Sequence, residues 1–121
     1  MRSPSNAQAN ATAGSLEPGA LSIESRRDGN THTISLRGEL DHATVDDVQR
    51  ELLRVESSDA RHIVLDLSGL SFMDSSGVHL VVDAHARCGA DADRLRIVRG
   101  PHNVQRVFVL TDLHAHLPFV E

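Results

Sequence analysis

The segment that decides the fold spans residues 61–80 and reads RHIVLDLSGLSFMDSSGVHL. Its nearly continuous apolar run Ile63–Leu67 predicts a central parallel strand that is covered on both faces. A polar loop, DSSG at residues 74–77, comes next, and apolar residues at helical spacing then predict a helix over Val78–Cys88. Backbone N–H groups at a helix start have no intrahelical partner and carry partial positive charge. A serine in this loop can therefore cap the helix, and a phosphate attached to it would be stabilised.

Two strands and a helix precede this segment. Alternating apolar and polar residues predict strands over Leu21–Arg26 and His32–Arg37, and the sequence DGN at residues 28–30 predicts a hairpin turn between them. Residues 38–41 (GELD) break the second strand. Apolar residues three and four apart between residues 44 and 55 then predict an amphipathic helix that packs one stripe against a sheet.

Local signals also place the helix ends. We expect Asp41 or Thr44 to cap the first helix, and Asp47 stands three residues after Thr44, as in a capping box. Gly89 is a typical residue to follow the last turn of the second helix. Pro101 is tolerated in the first turn of a third helix.

The third helix and two further strands complete the order. Residues 95–98 (LRIV) predict a strand, and the inner face of the third helix is expected to hold Val104, Val107, Phe108 and Leu113. Residues 117–120 predict a last short strand. The resulting β-β-α-β-α-β-α-β order predicts an α/β fold: a mostly parallel four- to five-stranded sheet with an antiparallel edge hairpin and three main helices.

In such a sheet, the loops at the carboxyl ends of the strands lie together. They include residues 38–41, 71–76 and 99–103. The sequence therefore predicts that the functional surface is the edge of the sheet that these loops form.

Composition narrows the class of protein. The chain of 121 residues suits a single domain, and its net charge of −5 argues against nucleic acid as the main partner, because phosphate neutralisation needs a basic patch. No run approaches the roughly 18 apolar residues of a membrane span, and the first residues lack the apolar core of a secretory signal. Cys88 is the only cysteine and allows no internal disulfide. We therefore expect a cytoplasmic protein with no membrane association.

The chain divides into two parts by composition. Residues 1–19 are rich in Ser, Asn, Ala and Gly, and Leu16 is their only large aliphatic residue after Met1. Such a segment cannot offset its ordering entropy by burial, so we predict a disordered tail. Residues 20–121 then form the folded domain.

This order of elements, with GELD at residues 38–41 and FMDSSG at residues 72–77, resembles the STAS domain of bacterial anti-sigma factor antagonists. Residues 104–111 (VQRVFVLT) also look like the last core helix of that family. The resemblance covers about residues 20–120. One difference is Asp112, which stands where the family often has glycine.

The resemblance implies a switch protein rather than an enzyme. In this family the unphosphorylated antagonist binds an anti-sigma factor that is also a serine kinase, and the sigma factor is released. The kinase phosphorylates a serine, binding is lost, and a phosphatase resets the switch. By position in the motif, the phosphorylated residue here is Ser75, and the implied partner-binding residues are Asp41, Asp74, Ser75, Ser76, Gly77, Val78 and His79. We expect a monomer or a weak dimer.

Other functions receive less support from the residues. A STAS module of a stress-signalling assembly or of a transporter-associated complex is the alternative that the resemblance leaves open. A serine hydrolase would need a base beside Ser75 and an orienting acid, and the Gly-x-Ser-x-Gly elbow is absent. His79 and Asp83 are four residues apart, and His114 and His116 two apart, but no third ligand is evident for a metal. We predict neither metal nor cofactor.

Overall fold

A computed structural model describes residues 17–88, 94–112 and 117–120. The predicted tail therefore lies almost wholly outside the described residues, as do Gly89, Leu113, His114 and His116. Five strands and three helices alternate along the described chain: β1 (Leu21–Asp28), β2 (Thr31–Leu40), α1 (Val45–Glu56), β3 (His62–Met73), α2 (Ser75–Cys88), β4 (Leu95–Val98), α3 (His102–Leu110) and β5 (Phe119–Val120).

The strands form one sheet in the order β1-β2-β3-β4-β5. The β1–β2 pair is antiparallel, and the three remaining pairs are parallel. The hairpin turn uses Gly29 at a φ of 61°, which glycine adopts without steric cost. The predicted α/β fold, with its parallel sheet and antiparallel edge hairpin, is confirmed.

The core lies between the sheet and the helices. Residues in register across the sheet share a face, and one such row, Ile34, Leu65 and Ile97, is fully buried. The neighbouring row, Ser35 and Asp66 among its members, is only half-buried. Because α1 contacts α2, α2 contacts α3, and the strand order follows the chain, right-handed connections put all three helices on one face. The prediction that β3 is covered on both faces is therefore wrong for the described chain.

Two element boundaries differ from the sequence prediction around residues 61–80. β3 continues through Met73, and α2 begins at Ser75 instead of Val78, so only Asp74 separates them. β2 also continues to Leu40, because residues 38–40 keep pairing with β3 across an irregularity in the register. The predicted loops are thus shorter, and the DSS sequence lies at a direct strand-to-helix junction.

The start of α1 is also built differently from the prediction. The Thr44 side chain makes no capping hydrogen bond, and Asp47 pairs with Arg50. Instead, Asp41 Oδ1 accepts hydrogen bonds from the N–H groups of Ala43 (2.9 Å) and Thr44 (3.2 Å). The expected capping box is therefore wrong, and the Asp41 carboxylate serves the turn that leads into α1.

Candidate functional site

Asp74 joins β3 to α2 and caps the helix. Its N–H donates to the carbonyl of Leu40 at 3.1 Å, which fixes the junction to the end of β2. Its Oδ1 accepts a hydrogen bond of 2.8 Å from the N–H of Ser76, the second residue of α2. This is the geometry of an N-cap aspartate. The capping role that either serine could have filled is therefore taken by Asp74.

Ser75 is the first residue of α2 and is exposed. Its hydroxyl makes no hydrogen bond with any described residue. Ser76 is half-buried, and His79 is exposed one turn along the helix. An accessible hydroxyl thus lies at the helix end where unpaired N–H groups favour an anion.

Gly77 and Val78, two of the implied partner-binding residues, are buried beneath the exposed residues of this turn. A Cβ on Gly77 would lie 2.5 Å from Cγ of Met73 and 3.0 Å from Cδ2 of Leu40. The absence of a side chain therefore lets the first turn of α2 approach the ends of β2 and β3. Ser75 owes its position to that close approach.

The Asp41 loop lies beside Asp74, the residue that precedes Ser75. Nδ1 of His42 is 4.0 Å from Oδ2 of Asp74, which puts the two loops side by side. Thr44 secures the Asp41 loop from within, since its hydroxyl donates to the carbonyl of Glu39 at 2.9 Å and accepts from the N–H of Asp41 at 3.0 Å. The carboxylates of Asp41 and Asp74 are held by backbone groups, and neither pairs with an arginine of the described chain.

The third loop also reaches this edge of the sheet. Nδ2 of Asn103 donates to the carbonyl of Ser71 at 2.8 Å, and the Ser71 hydroxyl donates to the carbonyl of Gly38 at 3.1 Å. Gly100 N donates to Oε1 of Gln105 at 2.8 Å and closes the turn before α3. The structure therefore brings the three predicted loops to one edge.

No base among the described residues lies within hydrogen-bond reach of the Ser75 hydroxyl, and nucleophilic catalysis by serine requires such a base. Among the described residues, no three His, Cys, Asp or Glu side chains converge as metal ligands would, and His79 stands on an exposed helix face. No helix of the described chain is both long and apolar enough to cross a membrane.

A serine–histidine pair that the sequence analysis missed lies elsewhere, between β1, β2 and α1. Oγ of Ser25 is 2.6 Å from Nε2 of the buried His32. Burial, followed by the positive charge of Arg54, lowers the pKa of His32 below its ordinary value of 6.5. The hydrogen bond from Arg54 lowers the pKa of Glu51 in the same cluster. The alternation of residues along β2 places His32 on the same face as Ile34 and Leu36. This alternation was the signal in the sequence that could have indicated the burial of His32.

Comparison with known proteins identifies the family. The sequence profile of the STAS domain matches residues 22–121. The anti-sigma F factor antagonist of Lysinibacillus sphaericus is 34% identical over 84 residues, which cover 69% of this chain and 72% of that protein. The anti-sigma-B factor antagonist of Staphylococcus aureus is 28% identical over 93 residues, 77% of this chain and 86% of that protein.

Solved structures agree with this fold. An anti-sigma factor antagonist from Mycobacterium paratuberculosis superimposes with a TM-score of 0.76 at 23% identity, over 85% of this chain and 87% of that one. SpoIIAA in its unphosphorylated form gives a TM-score of 0.68 at 27% identity, over 83% and 89% of the two chains. SpoIIAA from Bacillus in its phosphorylated form gives 0.61 at 28% identity, over 84% and 92%.

The chain therefore belongs to the STAS-domain family of anti-sigma factor antagonists. That family is regulatory rather than catalytic.

Proposed function

We propose that this chain binds an anti-sigma factor with serine-kinase activity while Ser75 is unphosphorylated, and so frees a sigma factor. Phosphorylation of Ser75 ends the interaction, and a phosphatase restores it. The observation that carries the proposal is the exposed Ser75 hydroxyl at the first residue of α2, which makes no hydrogen bond with any residue that the structure describes. Relatives named as antagonists of anti-sigma factors, and a relative solved in phosphorylated and unphosphorylated forms, support it.

The physical chemistry of the phosphate sets the direction of the switch. A phosphoserine adds a charge of about −1.5 to −2. The start of α2 favours an anion by roughly 0.3–1 kcal/mol, while the nearby carboxylates of Asp74 and Asp41 oppose it. These effects offset each other, so the domain is expected to stay folded.

Binding responds more strongly than folding. A partner that packs against the neutral hydroxyl would have to remove the phosphate dianion from water. A buried charge that is imperfectly paired costs about 3 kcal/mol. The affinity therefore falls by orders of magnitude. Ser75→Ala is expected to keep binding and to resist inactivation, and Ser75→Asp to bind poorly.

The partner surface is proposed to be formed by Asp41, Asp74, Ser75, Ser76, Gly77, Val78 and His79. Charge reversal at Asp41 or Asp74 is expected to weaken binding to the anti-sigma factor. Arg50→Glu is the control, because it also reverses one charge but lies on the exposed side of α1. If Arg50→Glu abolishes binding and the aspartate variants do not, the surface is wrongly assigned.

The deciding experiment compares wild type, Ser75→Ala and Ser76→Ala. Each is expressed with an affinity tag in the source organism, and co-purified proteins are identified. The recovered kinase is then incubated with each variant and ATP, and phosphorylation is mapped by mass spectrometry. Phosphate on wild type and Ser76→Ala alone supports the proposal. Phosphate on Ser75→Ala would assign the switch to another residue, and recovery of a transporter in place of an anti-sigma factor would reject the function.

A further inference from the structure

The outer face of the sheet, meaning the face opposite α1, α2 and α3, is left open by the described chain. Parallel sheets occur almost only with both faces covered. Here β2, β3, β4 and β5 run parallel, yet the helices cover one face. Side chains such as Thr33, Val64 and Val98 are only half-buried on the outer face. The open face of this sheet is therefore a candidate binding surface.

The register arranges the charges of the outer face in four rows that run across the strands. Each row is about 7 Å from the next, because side chains on one face repeat every second residue. The sign of the charge alternates from row to row. The charged residues are, in order, Asp28 in the first row, Arg26 and Arg96 in the second, Glu24 and Asp66 in the third, and Arg37 in the fourth.

Two of these side chains are neighbours on the edge strand β1. Glu24 and Arg26 are both exposed and lie on β1, two residues apart on the same face. Neither forms a hydrogen bond or ion pair with another described residue. Opposite charges in adjacent rows allow the face to be complementary in charge to a second copy of itself.

We propose that the outer face is the contact between two copies of this chain, related by a two-fold axis that runs across the strands between the second and third rows. This rotation places each second row against the third row of the other copy, and each first row against the fourth. Arg26 then faces the partner's Glu24, and Glu24 faces the partner's Arg26. A two-fold axis along the strands would instead stack rows of like charge, so the charges select the first arrangement.

The dimensions of the face predict a weak dimer. Five strands about 4.8 Å apart and four rows give roughly 500 Å² on each copy. The pair would bury about 1,000 Å², near the lower limit of specific interfaces. Dimerisation is expected to depend on protein concentration and to weaken with added salt, which screens exposed charges. The face lies opposite α2, so this inference is independent of the proposed function, and its test needs no anti-sigma factor.

Charge-swap mixing of the full chain tests the inference. Arg26→Glu and Glu24→Arg each place like charges in contact in a homodimer, so each variant is expected to dimerise at least about tenfold more weakly than wild type. When the two variants are mixed in equal amounts, Glu at residue 26 of one faces Arg at residue 24 of the other, and a heterodimer should form. Arg106→Glu, on the exposed face of α3, is the matched control and should dimerise like wild type.

Sedimentation equilibrium at low salt, from micromolar to millimolar protein, gives the association constants. Circular dichroism checks that each variant is folded. Association of the mixture, together with weak association of each variant alone, supports the two-fold pairing. The inference is overturned by a wild type that is monomeric at every concentration, by single variants that dimerise like wild type, or by a mixture that associates no better than its components.

Discussion

At the scale of single residues, Asp112 stores backbone strain at the end of α3. The helix ends at Leu110, Thr111 keeps a helical conformation, and Asp112 has a φ of 61°. This left-handed conformation is sterically unfavourable for residues with a Cβ, and glycine is the usual residue there. The glycine that the resemblance to the family implies at this position would avoid this strain, and the aspartate of this chain leaves a local cost.

Asp112→Gly is expected to stabilise the domain by about 0.5–1 kcal/mol, because it relieves the strained φ and removes a negative charge from a helix C-terminus. Asp112→Asn is the matched control, since it removes the charge but keeps the Cβ. Urea unfolding of the three proteins measures the effect. A lower midpoint for Asp112→Gly than for Asp112→Asn would contradict the strain argument.

His32 makes stability depend on pH. Its pKa is lowered in the folded protein by burial and by Arg54, so the unfolded chain takes up a proton first as pH falls. Stability is therefore fully present above the unfolded value of about 6.5 and declines as pH falls from there through the lowered folded pKa. In His32→Gln, the urea concentration at the unfolding midpoint should change less with pH in that window than it does in wild type. The fall below about pH 4.5, to which Glu51 contributes through its lowered pKa, should remain. An unchanged slope near pH 6 would show that His32 is not responsible.

At the scale of elements, the junction between β3 and α2 depends on the fit of Gly77. Alanine is normally a better helix former than glycine by about 0.5–1 kcal/mol. Here its Cβ would overlap the Met73 side chain, which is buried. Gly77→Ala is therefore expected to destabilise the domain by about 1–3 kcal/mol, the range for overpacking.

The control for Gly77→Ala uses a helix position without such contact. Ala86→Gly, at an exposed residue of α2, should cost about 0.5–1 kcal/mol by propensity alone. Thermal or urea unfolding of both variants gives the sign. A stabilising Gly77→Ala would mean that Met73 moves aside without penalty and that the close approach does not position Ser75.

The sequence predicted a strand or helix correctly where its apolar residues followed a single repeat, either every second residue or every third and fourth residue. Alternation identified the β1–β2 hairpin, and apolar spacing of three and four identified α1 and α3. The start of α2 was not predictable, because Asp74, Ser75 and Gly77 favour turns individually. The helix begins at Ser75 because the Asp74 side chain binds the N–H of Ser76. That hydrogen bond depends on β3 continuing to Met73, through a segment whose Gly69 and Ser71 interrupt the strand pattern.

The same limit applies to the candidate site. Strand order predicted that the loops would meet at one edge, and the contacts of Asp74 with Leu40 and of Asn103 with Ser71 bring them together. Which side chains remain accessible was not predictable, since Ser75, Ser76, Gly77 and Val78 are adjacent in sequence yet differ in burial. The Asp74 cap sets where the helix begins, and the resulting position of each residue around the helix decides whether its side chain is exposed. The one-sided cover of β3 was missed because Val64 reads as a core residue but lies on the outer face.

At the scale of the whole molecule, the domain separates its two proposed surfaces. The edge near Ser75 combines Asp41 and Asp74 with no arginine pairing them among the described residues. The outer face instead alternates the sign of its charge from row to row. A phosphate at the edge would add to a negative region, and salt limits the reach of an exposed charge to about 10 Å. Switching and self-association are therefore expected to be independent.

The last prediction concerns the N-terminal tail, residues 1–19, of which residues 1–16 lie outside the described residues. Their composition offers almost no apolar area to bury, since Leu16 and Met1 are the only large apolar side chains. We propose that this segment is dispensable for folding. Deletion of residues 1–19 should shift the free energy of unfolding by less than about 1 kcal/mol, because a segment without core residues lacks the main causes of a large effect. Urea unfolding of both chains at one low protein concentration measures this without a contribution from dimerisation. A larger loss would mean that the segment packs on the domain.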